Sequence, residues 1–85
     1  MKTIDLTQIT FKPSLAGKPK TVDFHKDVAE IIYRSAVTLA RDSCAHRLFE
    51  SDGKIEASDE EVGFIREAAQ SFIWDAQKEI LKRIE

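Results

Sequence analysis

From Phe24 to Phe49 the chain carries neither glycine nor proline, and its apolar residues recur at three- and four-residue spacing. That pattern predicts one helix over about 24–49. Val28, Ile32, Ser35, Ala36 and Leu39 fall on one side of it, and Tyr33, Val37, Ala40, Cys44 and Leu48 form an adjacent stripe. The two stripes together are broader than the face a surface helix normally buries, so this helix needs neighbours on two sides. Asp23 is the candidate N-cap, and Asp27 suits the positive end of the helix dipole.

A second helix is predicted over about 58–84. Its start is marked by Ser58-Asp59-Glu60-Glu61, a capping box in which Ser58 and Glu61 satisfy each other's backbone N–H groups. Val62, Ile65, Ala69, Phe72, Ala76 and Ile80 form its main apolar stripe, widened by Phe64, Ala68, Ile73, Trp74, Leu81 and Ile84. Acidic residues open it and Lys78, Lys82 and Arg83 close it, as the dipole prefers. Gly63 weakens its first turns.

Between the helices lies "ESDGKIEASDEE", residues 50–61, which shares features with a calcium-binding loop. With Gly53 in the glycine position, Asp52 and Glu50 occupy ligand positions. The first ligand position is Leu48, which has no side-chain oxygen, and the last is Asp59 in place of a bidentate glutamate. The loop therefore reads as a turn at Asp52-Gly53, a short extended stretch that tucks Ile55 inward, and a cap at Ser58.

"TIDLTQITF", residues 3–11, is rich in Thr and Ile and predicts a strand. Ile4 and Leu6 share one face and Ile9 and Phe11 the other, so the strand is either buried on both faces or reset by a bulge near Thr7–Gln8. "KPSLAGKPK", residues 12–20, holds both prolines and reads as a loop. "TVDF", residues 21–24, can return as the second strand of a hairpin, which then needs a helix beneath it.

The chain has 85 residues, enough for one domain spanning 1–85 and too few for two. A chain of this length buries about 60–65% of its unfolded surface, which leaves modest stability that pairing with another copy would raise. At 42% hydrophobic and 33% charged residues, it is a folding sequence rather than a disordered one. The net charge of −2 by itself implies no nucleic-acid or membrane partner, although residues 1–26 carry +3 and residues 27–85 carry −5. Cys44 is the single cysteine, so no internal disulfide forms, and a reducing cytoplasm is the expected setting. No apolar run reaches the ~18 residues of a membrane span. The first residues lack the apolar core of a signal peptide.

Little in the sequence points to catalysis. Cys44 and His46 lie two apart and point to opposite sides of a helix. Asp42 and Ser43 beside Cys44 lack a nucleophile elbow or a third orienting group. His25 is the only other histidine, too few for zinc. The expectation is therefore a non-enzyme without catalytic, metal or cofactor residues. Lys12, Lys18, Lys20 and Lys26 around the proline loop are candidates for phosphate contact, although that loop has neither arginine nor an aromatic to stack.

"MKTIDLTQITFK", then "VDFHKDVAEIIYRSA", then "GKIEASDEE" before a last helix: this order resembles small proteins of uncharacterised function encoded in prophages, often among tail or assembly genes. The resemblance implies an accessory or assembly role and supplies no catalytic residues.

The expected fold is thus α+β, an N-terminal β-hairpin (about 3–24) followed by two antiparallel α-helices (24–49 and 58–84). Two helices and a hairpin cannot cover both broad stripes, so a homodimer is expected. The candidate interface is Ile4, Leu6, Ile9 and Phe11 with Tyr33, Val37, Phe72 and Trp74. The expected function is a non-enzymatic interaction or assembly accessory, with an unidentified protein partner besides itself. The alternative is a nucleic-acid-binding accessory using the lysine loop.

Overall fold

The computed structural model describes residues 2–84. It is a mixed α/β structure of four helices and two small antiparallel sheets: β1 (Lys2–Asp5), β2 (Ile9–Phe11), β3 (Lys20–Val22), α1 (His25–Arg34), α2 (Leu39–Glu50), β4 (Lys54–Ala57), α3 (Asp59–Ala69) and α4 (Trp74–Ile84).

The expected first strand is two strands in two sheets. Asp5 ends β1 because its Oδ1 accepts from the Thr7 N–H at 2.9 Å and from the Thr7 hydroxyl at 2.5 Å, a side-chain turn that leaves the extended ladder. Gln8 follows in the left-handed region at φ 52°. Of the two readings of the broken alternation, this is the one with a reset at Thr7–Gln8, and it lets Ile4, Leu6 and Ile9 all face inward, fully buried. β2 pairs with β3 as a hairpin, Ile9 opposite Val22 and Phe11 opposite Lys20. β1 instead pairs with β4, with Ile4 opposite Ile55 and Lys2 opposite Ala57. The hairpin expected over 3–24 is therefore corrected to one of residues 9–22, and the first strand belongs to the segment between the helices. Leu6 bridges the two sheets: its N–H donates to the Gly53 carbonyl at 2.9 Å, and its carbonyl accepts from the Phe24 N–H at 3.0 Å.

Each expected long helix is two. The first breaks over residues 35–38, without glycine or proline. Ser35 donates its hydroxyl to the carbonyls of Ile31 and Ile32 at 3.0 and 3.2 Å, occupying the end of α1. Thr38, in extended conformation, then caps α2 by accepting from the Arg41 N–H at 3.3 Å. The chain reverses here: Tyr33 meets His46 and Lys26 meets Phe49, so α1 and α2 run antiparallel. The second helix breaks over residues 70–73. Three successive N–H groups, from Gln70, Ser71 and Phe72, donate to carbonyls three residues back and tighten α3 to a stop. The turn sets the Phe72 ring 5.0 Å from Phe24, which is itself 5.4 Å from Phe11.

The start of α3 matches expectation. Ser58 Oγ accepts from the Glu61 N–H at 3.3 Å and Glu61 Oε1 accepts from the Ser58 N–H at 3.0 Å. The core lies between the four helices and the strands, around Ile32, Leu48, Ile65, Ile80 and Ile84. No helix is long and apolar enough to cross a membrane, among the described residues.

Candidate functional site

Folding α1 back on α2 creates a groove of about 350 Å³ on the outer side of the helical pair. Two small residues, Ala29 and Ala45, form its floor, because two alanines facing each other leave space that larger side chains would fill. Tyr33 and Phe49 are its walls. The Tyr33 ring packs edge-on against His46 with centroids 5.7 Å apart, and the Lys26 ammonium sits 5.4 Å from the Phe49 centroid. Glu30 and Glu50 line the same opening, both exposed, with Arg34 4.0 Å from Glu30 and Lys26 over Phe49, so charges of both signs surround an apolar interior.

Further exposed apolar residues lie toward the α1–α2 turn, where Val37 lines a separate recess with Arg41, Phe64 and Glu67. Tyr33 is 54% exposed, Val37 87% and Leu39 80%, all on or beside the α1–α2 turn. Trp74 and Ile73 make a second exposed apolar spot where α3 gives way to α4.

The sequence-predicted interface set divides. Ile4, Leu6 and Ile9 are wholly buried within the single chain and have no surface left for a partner, which corrects their assignment. Phe11 and Phe72 are half-buried in the aromatic cluster with Phe24. Tyr33, Val37 and Trp74 are exposed as an interface requires. Phe49, Glu30 and Glu50 were not assigned to a surface site from the sequence, because a single unbroken helix places no groove between residues 29 and 45.

The lysines divide as well. Lys18 and Lys20 are exposed, and neither makes an ion pair among the described residues. The Lys12 backbone N–H is anchored to Asp75 Oδ2 at 2.6 Å. That bond, ahead of opposing burial and with help from Lys78, holds the Asp75 carboxyl below the usual aspartate range. Lys26 lies on α1 over Phe49, apart from the loop element.

Among the groups considered for chemistry, Cys44 is fully buried, and burial pushes its thiol up to about 11, with the charge of Glu61 adding to the effect. His46 points instead into the groove, 3.5 Å from Asp42 Oδ1. His25, weighed in the sequence only as a zinc ligand, is the one buried polar side chain among the described residues. It is buried at the start of α1, with Nδ1 2.6 Å from Asp23 Oδ1 and Nε2 without a hydrogen-bond partner. In the 50–61 loop, Asp52 Oδ1 accepts from the Lys54 N–H at 3.1 Å and Ser51 Oγ from the Gly53 N–H at 3.0 Å, so their oxygens close the turn. No group of three or more His, Cys, Asp and Glu side chains converges to hold a metal ion, among the described residues.

Comparison of the chain with protein-family models, with curated proteins and with solved structures finds no match.

Proposed function

We propose that this chain is a non-enzymatic interaction or assembly module that works by self-association, with a homodimer as the simplest product. The observation that carries the reading is the number of exposed apolar side chains on the α1–α2 pair: Tyr33 and Phe49 wall one groove, and Val37 and Leu39 are exposed at the turn between the helices. Single exposed apolar residues are ordinary on protein surfaces, whereas a cluster beside a formed groove is the usual mark of a contact site. The uneven charge of the chain adds to it, since a positive first third and a negative remainder favour contact between unlike surfaces of two copies. The resemblance of segment order to prophage-encoded proteins supports an accessory role in assembly, in a cytoplasmic setting. Neighbouring genes for capsid or tail proteins would strengthen that part of the reading, and their absence would remove its support.

The test is light scattering coupled to size-exclusion chromatography over a concentration series. A small interface implies weak association, so the mass is expected to rise within the range of about 10 μM to 1 mM. A mass fixed at one chain throughout overturns self-association. If that monomer shifts a generic nucleic-acid probe in a salt-sensitive way, and loses the shift when Lys12, Lys18 and Lys20 are changed to alanine, the lysine loop carries the function instead.

A further inference from the structure

From residue 6 to residue 22 the chain carries Lys12, Lys18 and Lys20 and no acidic residue. All three lysines are exposed, and none makes an ion pair among the described residues. The acids that come nearest are already engaged. Asp75 takes the Lys12 backbone N–H at 2.6 Å and the Lys78 ammonium at 3.4 Å, while Asp5 and Asp23, at the other end of the hairpin, hold Thr7 and His25. At the head of this basic hairpin stands Leu15, 99% exposed. It occupies the corner of a β-turn in which the Gly17 N–H donates to the Ser14 carbonyl at 3.2 Å, with Ala16 beside it. Pro13 and Pro19 restrict the backbone on both sides, and the foot of the loop is fixed by Asp75 and by the β2–β3 ladder. A leucine held outward in this way has already lost much of the freedom that binding would otherwise remove. The residue before Asp75 is Trp74, 65% exposed, so a second large apolar side chain lies at the foot of the loop.

The hairpin is thus layered, apolar at its tip and basic along both arms. A nucleic acid would meet the lysines with phosphates but would give Leu15 no apolar cover, and the loop has neither the arginine nor the aromatic that bases stack on. An anionic lipid bilayer offers the two chemistries in the same order, an acyl layer beneath negative headgroups. We infer that the 12–20 loop docks on the surface of an anionic membrane, with Leu15 entering the acyl boundary and Lys12, Lys18 and Lys20 at the headgroups. The lysine stems reach outward to the charged layer as the tip goes in. Attraction to the surface brings the loop in, and burial of the tip holds it there, so neither part suffices alone. A single copy carries the whole surface, so the contact does not depend on self-association.

The experiment is co-sedimentation of the full chain with vesicles of phosphatidylcholine alone and with vesicles holding about 30% phosphatidylserine. Binding is expected to the second only, and to weaken as salt is raised from about 0.1 to 0.5 M. Leu15→Asp and K18E/K20E, each checked by circular dichroism, are each expected to lower the partition coefficient at least about tenfold. Should either lose its helical spectrum, Leu15→Ser and K18A/K20A take their places, with smaller losses in the same direction. Insertion is read separately by Leu15→Trp in a Trp74→Phe chain, whose emission is expected to shift to the blue on anionic vesicles. Failure to bind anionic vesicles, equal binding to both kinds, Leu15→Asp binding as tightly as the unsubstituted chain, or an unshifted emission from the tip would each overturn the membrane contact. It is overturned in favour of nucleic acid if the vesicles fail while a generic probe binds and is lost with K18E/K20E.

Discussion

Nη2 of Arg83 donates to the carbonyl oxygen of Gln8 at 2.9 Å, joining two residues 75 positions apart. The other arm of the same guanidinium, Nη1, reaches the Asp5 carbonyl at 3.1 Å. One side chain near the end of α4 thus holds both flanks of the break between β1 and β2, where Gln8 sits at positive φ. Arg83→Ala is expected to cost about 1–3 kcal/mol, since two hydrogen bonds to a charged donor are lost and the carbonyls must find water. Arg83→Lys should recover less than half of that, because an ammonium lacks the fork. Urea unfolding followed by Trp74 fluorescence reads both values. Equal stability of all three chains would mean that the clamp contributes nothing.

Gly53 and Gly63 should respond in opposite directions to alanine. Gly53 lies at φ +105°, and an added Cβ would approach Thr7 Cγ2 to 2.2 Å and His25 Nδ1 to 3.4 Å. Both the backbone and the space are wrong for any other residue, so Gly53→Ala should destabilise by about 1–3 kcal/mol. An added Cβ at Gly63, inside α3, meets nothing within 4 Å. Gly63→Ala should therefore stabilise by about 0.5–1 kcal/mol. A thermal melt of each variant gives the signs, and a stabilised Gly53→Ala would contradict the turn geometry described above.

Acid should loosen the fold through its carboxylates. Burial of Glu61 opposes its ionisation, but the Ser58 N–H and the Arg47 guanidinium outweigh burial and hold it below the ordinary glutamate value of 4.5. Asp5 lies below its ordinary 3.8 because it accepts from the side chain and backbone of Thr7. A group whose folded pKa is depressed contributes stability that is complete above the unfolded pKa and lost as pH falls through the folded one. The midpoint for urea should therefore hold steady near neutrality and decline below about pH 4.5. Glu61→Gln should lie about 1 kcal/mol below the unsubstituted chain at neutral pH, and the two curves should converge in acid. Parallel curves at all pH values would mean that the charge on Glu61 does not matter.

Cys44 should behave as a core residue. With its thiol buried and its pKa raised to about 11, it should resist a thiol reagent in the native state and react fully in denaturant. Rapid stoichiometric labelling of the native chain would place the thiol at the surface and disagree with α2 as described.

The locally encoded parts of this architecture were legible. The capping box at Ser58 and Glu61 and the reversal at Asp52-Gly53 each rest on residues within a few positions of one another and appear as read, and of the two readings of the 3–11 alternation it is the irregularity near Thr7–Gln8 that occurs, as a break between two sheets. The interruptions at 35–38 and 70–73 were not legible as breaks, because the usual markers, glycine and proline, are absent from both. At the first, Ser35 and Thr38 do the work through hydroxyls, and such residues also sit inside helices. At the second, the tightened turn packs Phe72 against Phe24, a partner that no window around Phe72 contains. The same applies to β1, whose partner is β4 rather than its neighbour in the chain.

Overlooking the α1–α2 reversal also misplaced the candidate site. An unbroken helix over 24–49 leaves two stripes uncovered along its whole length. Folding α1 and α2 against each other, with α3 beside both and β4 against α2, covers most of that surface from within, burying Val28, Ile32, Cys44 and Leu48. Tyr33 and Val37 were identified from those stripes, but the groove's walls and charges come from residues that meet only after the chain turns back on itself.

The pairing of Lys2–Asp5 with Lys54–Ala57 has a bearing on how the chain is made. On a translating ribosome the first strand emerges while its complement has still to be synthesised, and at ~5–20 residues per second that delay lasts on the order of 3–10 s. Through this interval Lys2–Asp5 presents unsatisfied backbone groups and the buried-type Ile4, so it is the stretch where a chaperone would find a foothold.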